Sequence, residues 1–296
     1  MRKNNDKNTY KNVISINDVR KKKGLPPVEC VEEKVSKEEK EERLLDEKIE
    51  ALDTAYEDYI VTTKGLSDDK EKMKAFKDLL DRFNVFFDFI YEKETKKMLQ
   101  LSPLKEEINY AMTGAGKRLR PFLMYLTYRA FGGEVTEDLV NFMIAIELIH
   151  SFSLIHDDMP CMDNDELRRG KESVWKKFGE AKALLAGDAM ISMAQEIAGY
   201  TLLDAVLHQD RYTDDIEEDF DENGEVYLDE EDVEELRYNA HEAFVYTACI
   251  QMLASATGAQ GMVAGQADEL DLQDKKDLKV EDIIGMYSYK TGALLS

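Results

Sequence analysis

The stretch TEDLVNFMIAIELIHSFSLIHDDM, from Thr136 to Met159, predicts one long buried helix. Thr136 is a suitable N-cap, and Pro160 disfavours continuation of the helix beyond Met159. We expect no segment of the sequence to be long and apolar enough to span a bilayer, because even the apolar part of this stretch carries polar side chains. We therefore interpret it as a helix inside a soluble protein. The polar residues are two serines, Asn141, Glu147 and His150.

Helical spacing of apolar residues recurs in almost every segment from about Glu71 onward. One strongly apolar face combines Phe76, Leu79, Leu80, Phe83, Phe86, Phe87 and Ile90. No alternating strand pattern is found. The sequence therefore predicts an all-α fold, with helices packed around a central cavity. Further helices are expected at 103–112, from Pro121 to Gly132-Gly133, at 181–206, at 230–256 and from Ile283 to the end of the sequence.

The first 70 residues differ in composition from the rest of the chain. Residues 1–36 are rich in Asn and Lys and are predicted to form a disordered basic tail. A basic arm that binds nucleic acid is the alternative for the run at 20–23. Residues 37–70 predict an accessory charged helix, and Ser67 is the expected N-cap of the next helix. The main domain is expected at 71–296. The apolar stripe of the accessory helix is Leu45, Ile49, Leu52, Tyr56 and Tyr59.

An acidic insert occupies residues 210–235, with fifteen acidic side chains against one basic residue, Arg211. Part of it fits the calcium-loop formula of EF-hands, including Gly at the sixth place and Glu at the twelfth. An acidic loop with an Asn-Gly turn explains the same letters and is the interpretation we prefer. The calcium ligands under the first interpretation are Asp219, Asp221, Asn223 and Glu230.

Composition narrows the classes of function. The 296 residues are 43% hydrophobic, enough for a sizeable core, and their formal net charge is −23. That charge argues against binding to nucleic acid or to an anionic membrane surface. The three cysteines are odd in number and lack metal-site spacing, and no apolar secretory signal opens the sequence. We therefore expect a cytoplasmic protein.

Two carboxylates stand at the C-terminal end of the long helix, a third follows in the next loop, and two adjacent arginines come after them. Asp157, Asp158 and Asp163 repel one another unless a cation or a proton relieves them. Arg168 and Arg169 indicate an anionic ligand that reaches the same cation, most simply a diphosphate. Oxygen ligands without Cys or His favour Mg²⁺ that keeps water and takes phosphate oxygens. The alternative is a solvated acidic loop that caps neighbouring helices.

A second charged cluster, GAGKRLRP at 114–121, precedes a predicted helix. Glycines at a helix N-terminus allow the backbone to approach an anion closely. Lys117 and Arg120 are three residues apart, so they can converge on one diphosphate. The alternative is a basic helix start packed on the acidic surface, which the helix dipole disfavours.

These motifs, together with HSFSLIHDDMPCMDNDELRRGK, FGEAKALLAGDA, GQADEL and YKTGAL, resemble the trans-prenyl diphosphate synthases. The resemblance covers roughly Phe76 to Ser296 and is closest to the bacterial farnesyl diphosphate synthase branch. It implies an all-α bundle, usually a homodimer. The implied reaction joins isopentenyl diphosphate to an allylic diphosphate, with Mg²⁺ as cofactor and Mn²⁺ as the alternative.

The resemblance also assigns roles to individual residues. Asp157, Asp158 and Asp163 match the first aspartate-rich motif, whose Mg²⁺ bridges to the allylic diphosphate. With Arg168 and Lys290 they form the expected catalytic set. The residues expected to hold the diphosphate of isopentenyl diphosphate are Lys117, Arg120, His150 and Arg169. The residues expected on the allylic side are Arg168, Gln266, Lys290 and Thr291.

Product length is expected to depend on Phe152, five residues before Asp157. The matching position in the family helps to form the floor of the allylic pocket. At ~1.5 Å of rise per residue the floor would lie about 7 Å below the carboxylates. An aromatic residue there, together with the extra Pro160-Cys161 pair in the motif, resembles the family's short-chain producers. Farnesyl diphosphate is therefore the expected product, and geranylgeranyl diphosphate is the alternative.

The sequence departs from the family pattern in two places. The second aspartate-rich motif should follow Lys290-Thr291, whereas the sequence ends at Ser296, and Glu269 stands where the family usually has Asp. We expect a fragment of a longer protein, with poor turnover as it stands. The alternative is a catalytically silent, diphosphate-binding or regulatory subunit.

Overall fold

The computed structural model describes residues 29–113, 116–213, 230–273 and 275–295. Within these ranges the chain forms ten α-helices, one two-stranded hairpin and a 3₁₀ turn at Gly292–Leu294. The predicted all-α fold is confirmed. The elements are α1 (Glu29–Lys64), α2 (Asp69–Leu99), α3 (Lys105–Met112), α4 (Leu119–Ala130), α5 (Glu137–Asp157), β1 (Leu167–Arg168), β2 (Lys171–Glu172), α6 (Val174–Phe178), α7 (Glu180–Thr213), α8 (Glu230–Thr257), α9 (Met262–Gln273) and α10 (Val280–Lys290).

Helix α5 is the buried helix that the opening stretch predicted. Fourteen of its 21 residues are buried, on every side of the helix. It contacts α2, α3, α4 and, most extensively, α7. The buried side of α7 carries small side chains, which let the two helix backbones approach closely. Those residues include Ala183, Ala186, Ala194 and Ala198.

By length and composition, α5 is also long and apolar enough to cross a membrane. That finding corrects the expectation that no segment reaches this threshold. Of the apolar window in α5, 72% is buried inside the fold. The core helix of a globular protein passes the same test, so the evidence for a span is weak.

An aromatic cluster joins α2 to α4. The ring centroids of Phe83 and Phe122 lie 5.1 Å apart, and those of Phe83 and Tyr125 lie 5.6 Å apart. Aromatic pairs at this spacing stabilise a core by about 0.5–1.5 kcal/mol beyond their buried area. The cluster fixes the start of α4, next to the basic residues Lys117, Arg118 and Arg120.

The hairpin was not expected from the sequence. Leu167 pairs with Glu172 and Arg168 pairs with Lys171, so Arg169 and Gly170 form a two-residue turn. Both turn residues have positive φ, 53° for Arg169 and 79° for Gly170. That combination is typical of a type I′ turn, whose twist matches the twist of the paired strands. Strands of two residues are too short to show an alternating pattern.

Three predicted helix ends can be compared with the structure. Thr136 caps α5, accepting a hydrogen bond from the Leu139 N–H at 3.3 Å, as expected. Ser67 is not the cap of α2, because Asp68 accepts from the Lys70 N–H at 2.9 Å instead. The last helix was expected to run from Ile283 to the end of the sequence. It ends earlier, because α10 stops at Lys290 and a 3₁₀ turn follows.

The chain divides into two compact units, Met1–Asp58 and Tyr59–Ser296. In α1 the predicted apolar stripe is the least exposed side, with Leu52 and Tyr56 buried. Residues 1–28 of the predicted basic tail lie outside the described residues. Residues 29–36 were predicted to be disordered and instead form the start of α1, because Glu and Lys residues favour a helix. The accessory helix therefore begins before residue 37, the position at which it was expected to start. Of the suggested calcium ligands, Asp219, Asp221 and Asn223 also lie outside them, and Glu230 is the first residue of α8.

The contact between α9 and α10 yields a test of packing. A Cβ atom added at Gly265 would collide with the backbone nitrogen of Lys290 and stand 2.6 Å from its Cα. Because backbone atoms cannot move away cheaply, Gly265→Ala should lower the free energy of unfolding by about 1–3 kcal/mol. Urea denaturation followed by circular dichroism measures this change.

Gly285→Ala is the matched control for that variant, because Gly285 is also helical and has nothing within 4 Å of an added Cβ. It should stabilise the protein by about 0.5–1 kcal/mol through helix propensity. Equal effects of the two substitutions would contradict the close approach of α9 and α10.

Candidate active site

A buried ion pair joins the start of α4 to the middle of α5. Arg118 Nη1 donates to Glu147 Oε1 at 2.8 Å, and the two side chains are only 4% and 2% exposed. Arg118 also donates to the Met112 carbonyl, and its guanidinium lies 5.2 Å from the centroid of the Phe87 ring. The N-cap position of Arg118 has a left-handed conformation, with φ of 48°. The pair therefore holds the basic segment against the central helix.

Cations outnumber carboxylates around this pair. Burial raises the pKa of Glu147, while Arg118, Arg120 and Arg169 lower it. The pKa of Arg120 and of Arg169 is lowered by burial, since each guanidinium has lost part of its hydration. One buried carboxylate among three guanidiniums leaves an excess of positive charge. Such an excess favours the binding of an anion.

His150 lies within the same field, one turn after Glu147 on α5. Its pKa is lowered to about 3, first by burial and then by Arg120, Arg169, Arg118 and Arg168, in that order. The imidazole is therefore neutral at physiological pH. Through this group the structure brings together three of the four residues expected to bind isopentenyl diphosphate: Arg120, His150 and Arg169.

The segment before α4 approaches the hairpin directly. A Cβ atom added at Gly116 would lie 2.6 Å from Nη1 of Arg169, so only glycine fits there without displacement of the arginine. Among the described residues, Nε of Arg120 is buried and lacks a hydrogen-bond partner. Lys117 is exposed at the edge of the cluster. An anionic ligand would accept a hydrogen bond from the unpaired Nε of Arg120 and would offset the neighbouring positive charges.

The hairpin also places Arg168 against the first aspartate pair. Arg168 Nε donates to Asp158 Oδ1 at 2.9 Å, and Asp158 is only 3% exposed. Arg168 Nη2 lies 3.7 Å from Asp165 Oδ2 as well. Burial raises the pKa of Asp158, and the hydrogen bond from Arg168 opposes that rise. Asp158 and Arg168 therefore hold each other at the base of the hairpin.

The carboxylate of Asp157 is less fully compensated by positive charge than that of Asp158. Its pKa is raised to about 6, mainly by burial and further by the charges of Asp163 and Glu269. The main opposing charge is Lys290, whose Nζ lies 3.8 Å from Asp157 Oδ2. Lys290 also forms a closer ion pair with Glu269. The charge of Asp157 is thus only partly offset by the protein.

The loop after α5 turns back on the end of that helix. The backbone N–H of Asp163 donates to the carbonyl of Asp157 at 2.9 Å, and the N–H of Asp165 donates to the carbonyl of Asp158 at 3.1 Å. The side chain of Asp163 remains exposed. Across the described ranges, no three side chains of the metal-binding types gather into a coordination set.

The donor chemistry nevertheless fits a hard divalent cation. Asp157 and Asp158 supply carboxylate oxygens at the negative end of the α5 dipole, where a cation is favoured. Mg²⁺ needs only one or two carboxylates when water and phosphate oxygens complete its shell. The partly uncompensated charge of Asp157 is the feature that a cation would neutralise.

The expected allylic residues near the end of the sequence lie together. Gly265 touches the backbone of Lys290, which places Gln266 beside the end of α10. Nε2 of Gln266 is buried without a hydrogen-bond partner among the described residues. Thr291 is the C-cap of α10 and donates its backbone N–H to the Tyr287 carbonyl. Phe152 is buried on α5, with its ring centroid 5.7 Å from that of His156.

Sequence reasoning missed three residues of this site: Arg118, Glu147 and Glu269. The signal for Glu147 was present, because an acidic residue inside an apolar helix needs a buried partner. Arg118 could then have been chosen from the basic cluster. Glu269 was noticed only as a departure from the family pattern, whereas the structure shows that it binds Lys290.

Comparisons with known proteins identify relatives of this chain. The polyprenyl synthetase family model matches residues 102–222. The chain is 36% identical over 195 residues to a farnesyl diphosphate synthase of Micrococcus luteus, covering 66% of this chain and 53% of that protein. It is 34% identical over 230 residues to geranylgeranyl pyrophosphate synthase 4 of Arabidopsis thaliana, covering 73% and 51%. The chain spans about half the length of the curated relatives it matches.

Solved structures show the same relationship. An FPP/GFPP synthase from Zymomonas mobilis superposes with a TM-score of 0.53 at 32% identity, covering 73% of this chain and 67% of that one. A geranyltransferase from Legionella pneumophila gives a TM-score of 0.57 at 31% identity, covering 74% and 65%. On these grounds the chain belongs to the trans-isoprenyl diphosphate synthase family, close to its farnesyl diphosphate synthases.

Proposed function

We propose that this chain is the substrate-binding part of a prenyltransferase that condenses isopentenyl diphosphate with dimethylallyl or geranyl diphosphate. The proposed product is a short-chain prenyl diphosphate, farnesyl diphosphate in the first instance. The observation that carries the proposal is the pairing of two charged regions along α5. An arginine-rich pocket surrounds His150, and a partly compensated carboxylate pair begins seven residues later at Asp157.

Each region suits one diphosphate. Arg120, His150 and Arg169, with Lys117 at the edge, would hold the diphosphate of isopentenyl diphosphate. Planar guanidiniums pair well with phosphate oxygens, and a neutral imidazole adds one N–H donor. Arg168 and Lys290 would face the allylic diphosphate, with Gln266 and Thr291 beside them. The buried Nε of Arg120 and Nε2 of Gln266 are donors still to be satisfied.

The reaction begins when the allylic C–O bond ionises and negative charge accumulates on the leaving diphosphate. Arg168 and Lys290 would stabilise that charge, because fixed donors in a site poor in water are effective where charge develops. Mg²⁺, held by Asp157, Asp158 and Asp163, would supply further neutralisation of the diphosphate when bound. Mn²⁺ is the alternative metal.

Carbon–carbon bond formation follows the ionisation. The alkene of isopentenyl diphosphate attacks the allylic cation, and the C2 proton then leaves to the departing diphosphate. Arg120, His150 and Arg169 would keep the alkene aligned by holding its own diphosphate. The apolar side chains of α5, with Phe152 among them, would keep water from the cation.

A second function rests on a separate observation. Arg168 is already bound to Asp158, and Lys290 is already bound to Glu269. Side chains engaged in this way are less available to stabilise a leaving allylic diphosphate. That favours a catalytically silent or regulatory subunit, which would bind diphosphate in the pocket around His150. Geranylgeranyl diphosphate is the alternative product if the enzyme is active.

We also propose a homodimer in a reducing cytoplasm. Exposed apolar side chains on α7, Leu184 and Leu185, support a contact between two copies. Cys161 and Cys249 are free thiols, which a reducing compartment maintains.

The function is tested by diphosphate binding and by product formation. In calorimetric titration the protein should bind inorganic diphosphate more tightly with Mg²⁺ than without it. Asp157→Asn should weaken the Mg²⁺-dependent binding by at least about 10-fold, since even outer partners of a metal site are worth about 10–100-fold. Incubation with isopentenyl and dimethylallyl diphosphates, followed by chromatography, reports the product.

Asp78→Asn is the control for Asp157→Asn, because Asp78 is an exposed carboxylate on α2. It should leave diphosphate binding unchanged. Binding without product formation would favour the silent subunit. No diphosphate binding at millimolar concentration, with or without Mg²⁺, would contradict both functions.

His150 should give the stability of the protein a specific pH dependence. Its folded pKa is about 3, below the ordinary value of 6.5, so the unfolded chain takes up the proton first. Stability from this group is present above pH 6.5 and is lost as the pH falls toward 3. At pH 5.0 the loss should be about 2 kcal/mol relative to pH 7.5.

Denaturant unfolding at pH 7.5 and 5.0 measures that loss. His150→Gln should reduce the difference between the two pH values by about 2 kcal/mol. His241→Gln, at an exposed position on α8, should leave it unchanged. Identical pH dependence in all three proteins would show that His150 titrates normally in the folded state.

Phe152 tests the proposed limit on product length. Phe152→Ala removes a buried ring and should lengthen the product by one or more isoprene units, because space opens below the carboxylates. Chromatography of the dephosphorylated products measures the shift. Phe142→Ala is the control, since the Phe142 ring lies 6.4 Å from the Tyr246 ring of α8, near the other end of α5. An unchanged product from Phe152→Ala would remove this residue from the pocket floor.

A further inference from the structure

The hairpin that carries Arg168 and Arg169 stands away from α5. An open pocket lies between them, lined on the α5 side by Ser151, Leu154, Ile155 and Asp158. The opposite wall is formed by Arg168, Arg169 and residues 171–174. Apolar packing therefore does not fix the distance between the hairpin and α5. The position of the hairpin depends on polar contacts, namely the pairing of Arg168 with Asp158 at its base and further contacts at its edges.

One edge is held by Tyr110 of α3. The Tyr110 hydroxyl donates to the carbonyl oxygen of Glu172 at 2.8 Å. Glu172 pairs with Leu167, the neighbour of Arg168 in strand β1. A hydrogen bond to the backbone of so short a strand restrains the whole hairpin, because each strand has only two residues.

The Tyr110 ring is itself held in place from two sides. Lys177 Nζ lies 3.7 Å from the ring centroid, a cation–π distance. The Phe178 ring meets it edge-on with centroids 5.4 Å apart. Helix α3 is anchored to α7 by the ion pair between buried Glu107 and Lys182, at 2.6 Å. These contacts therefore hold the Tyr110 hydroxyl in one position.

The same helix also reaches the other arginine group. Met112, two residues after Tyr110, offers its carbonyl oxygen to Arg118. Helix α3 therefore contacts both arms of the anion pocket: the hairpin through Tyr110 and the start of α4 through Met112. A short helix that contacts both arms sets the distance between them.

We infer that Tyr110 is a positioning residue for diphosphate binding. It holds Arg168 and Arg169 in the position in which they face Arg118, Arg120 and His150. Tyr110 does not contact the ligand itself. This inference rests on the proposed function, because it assumes that the pocket between these arms takes a diphosphate.

The test is titration of the full chain with inorganic diphosphate and Mg²⁺ by calorimetry. Tyr110→Phe keeps the ring and removes only the hydroxyl. The dissociation constant should rise about 5-fold, the scale of one lost hydrogen bond of about 1 kcal/mol. The melting temperature should change little. A residue with a purely structural role would shift the melting temperature and leave the affinity of the folded protein unchanged.

Trp175 offers a second readout, since it is the single tryptophan of the chain and its Nε1 donates to the Asp165 carbonyl at 2.9 Å. Its emission should respond to diphosphate at lower concentration in the unmodified protein than in Tyr110→Phe. Tyr200→Phe is the matched control, because Tyr200 loses a hydroxyl contact to Glu196 on the exposed side of α7. Its affinity should equal that of the unmodified protein.

Lys177→Met keeps the test decisive if Tyr110→Phe is poorly folded. Lys177 is exposed on α6, so the variant should fold, and the freed Tyr110 ring should raise the dissociation constant about 2-fold. If Tyr110→Phe folds and its affinity for diphosphate is unchanged, the inference is overturned and the proposed function stands. If Tyr110→Phe does not fold, unchanged affinity in Lys177→Met has the same meaning. Absence of binding in the unmodified protein overturns both.

Discussion

The interaction on which the site depends is the buried ion pair between Arg118 and Glu147. Two charges at 4% and 2% exposure persist only because each satisfies the other and because Met112 accepts a further hydrogen bond. The pair locks the start of α4 to α5. Arg120 is thereby held beside His150, and the hairpin arginines complete the cluster from the opposite side. Removal of either partner would leave one charge buried without compensation.

Helix α5 could be predicted almost to the residue, because its apolar content is high and its ends carry Thr136 and Pro160. The all-α class followed from the same spacing of apolar residues elsewhere. The hairpin could not be predicted, since two-residue strands show no alternation and arginine is an unusual choice for the first turn position. Arg169 nevertheless adopts the left-handed conformation, with φ of 53°.

Much of the site was also accessible from the sequence. Asp157, Asp158, Arg168 and Arg169 stand close together in the chain, and the local turn keeps them close in space. Pairs that are distant in sequence were not accessible. Arg118 and Glu147 are 29 residues apart, and Glu269 and Lys290 lie on different helices. Nothing in the local sequence indicates with which of several acidic residues a given Lys or Arg side chain will pair.

One consequence of α5 concerns the distance between its two charged regions. His150 and Asp157 belong to one unbroken helix, so about 10 Å of rise separates their backbones at ~1.5 Å per residue. Backbone hydrogen bonds, and not side-chain packing, fix that distance. An inserted residue would rotate one region by about 100° relative to the other. Over evolution this segment should therefore tolerate substitutions but neither insertions nor deletions, whereas the loops around it are free to change in length.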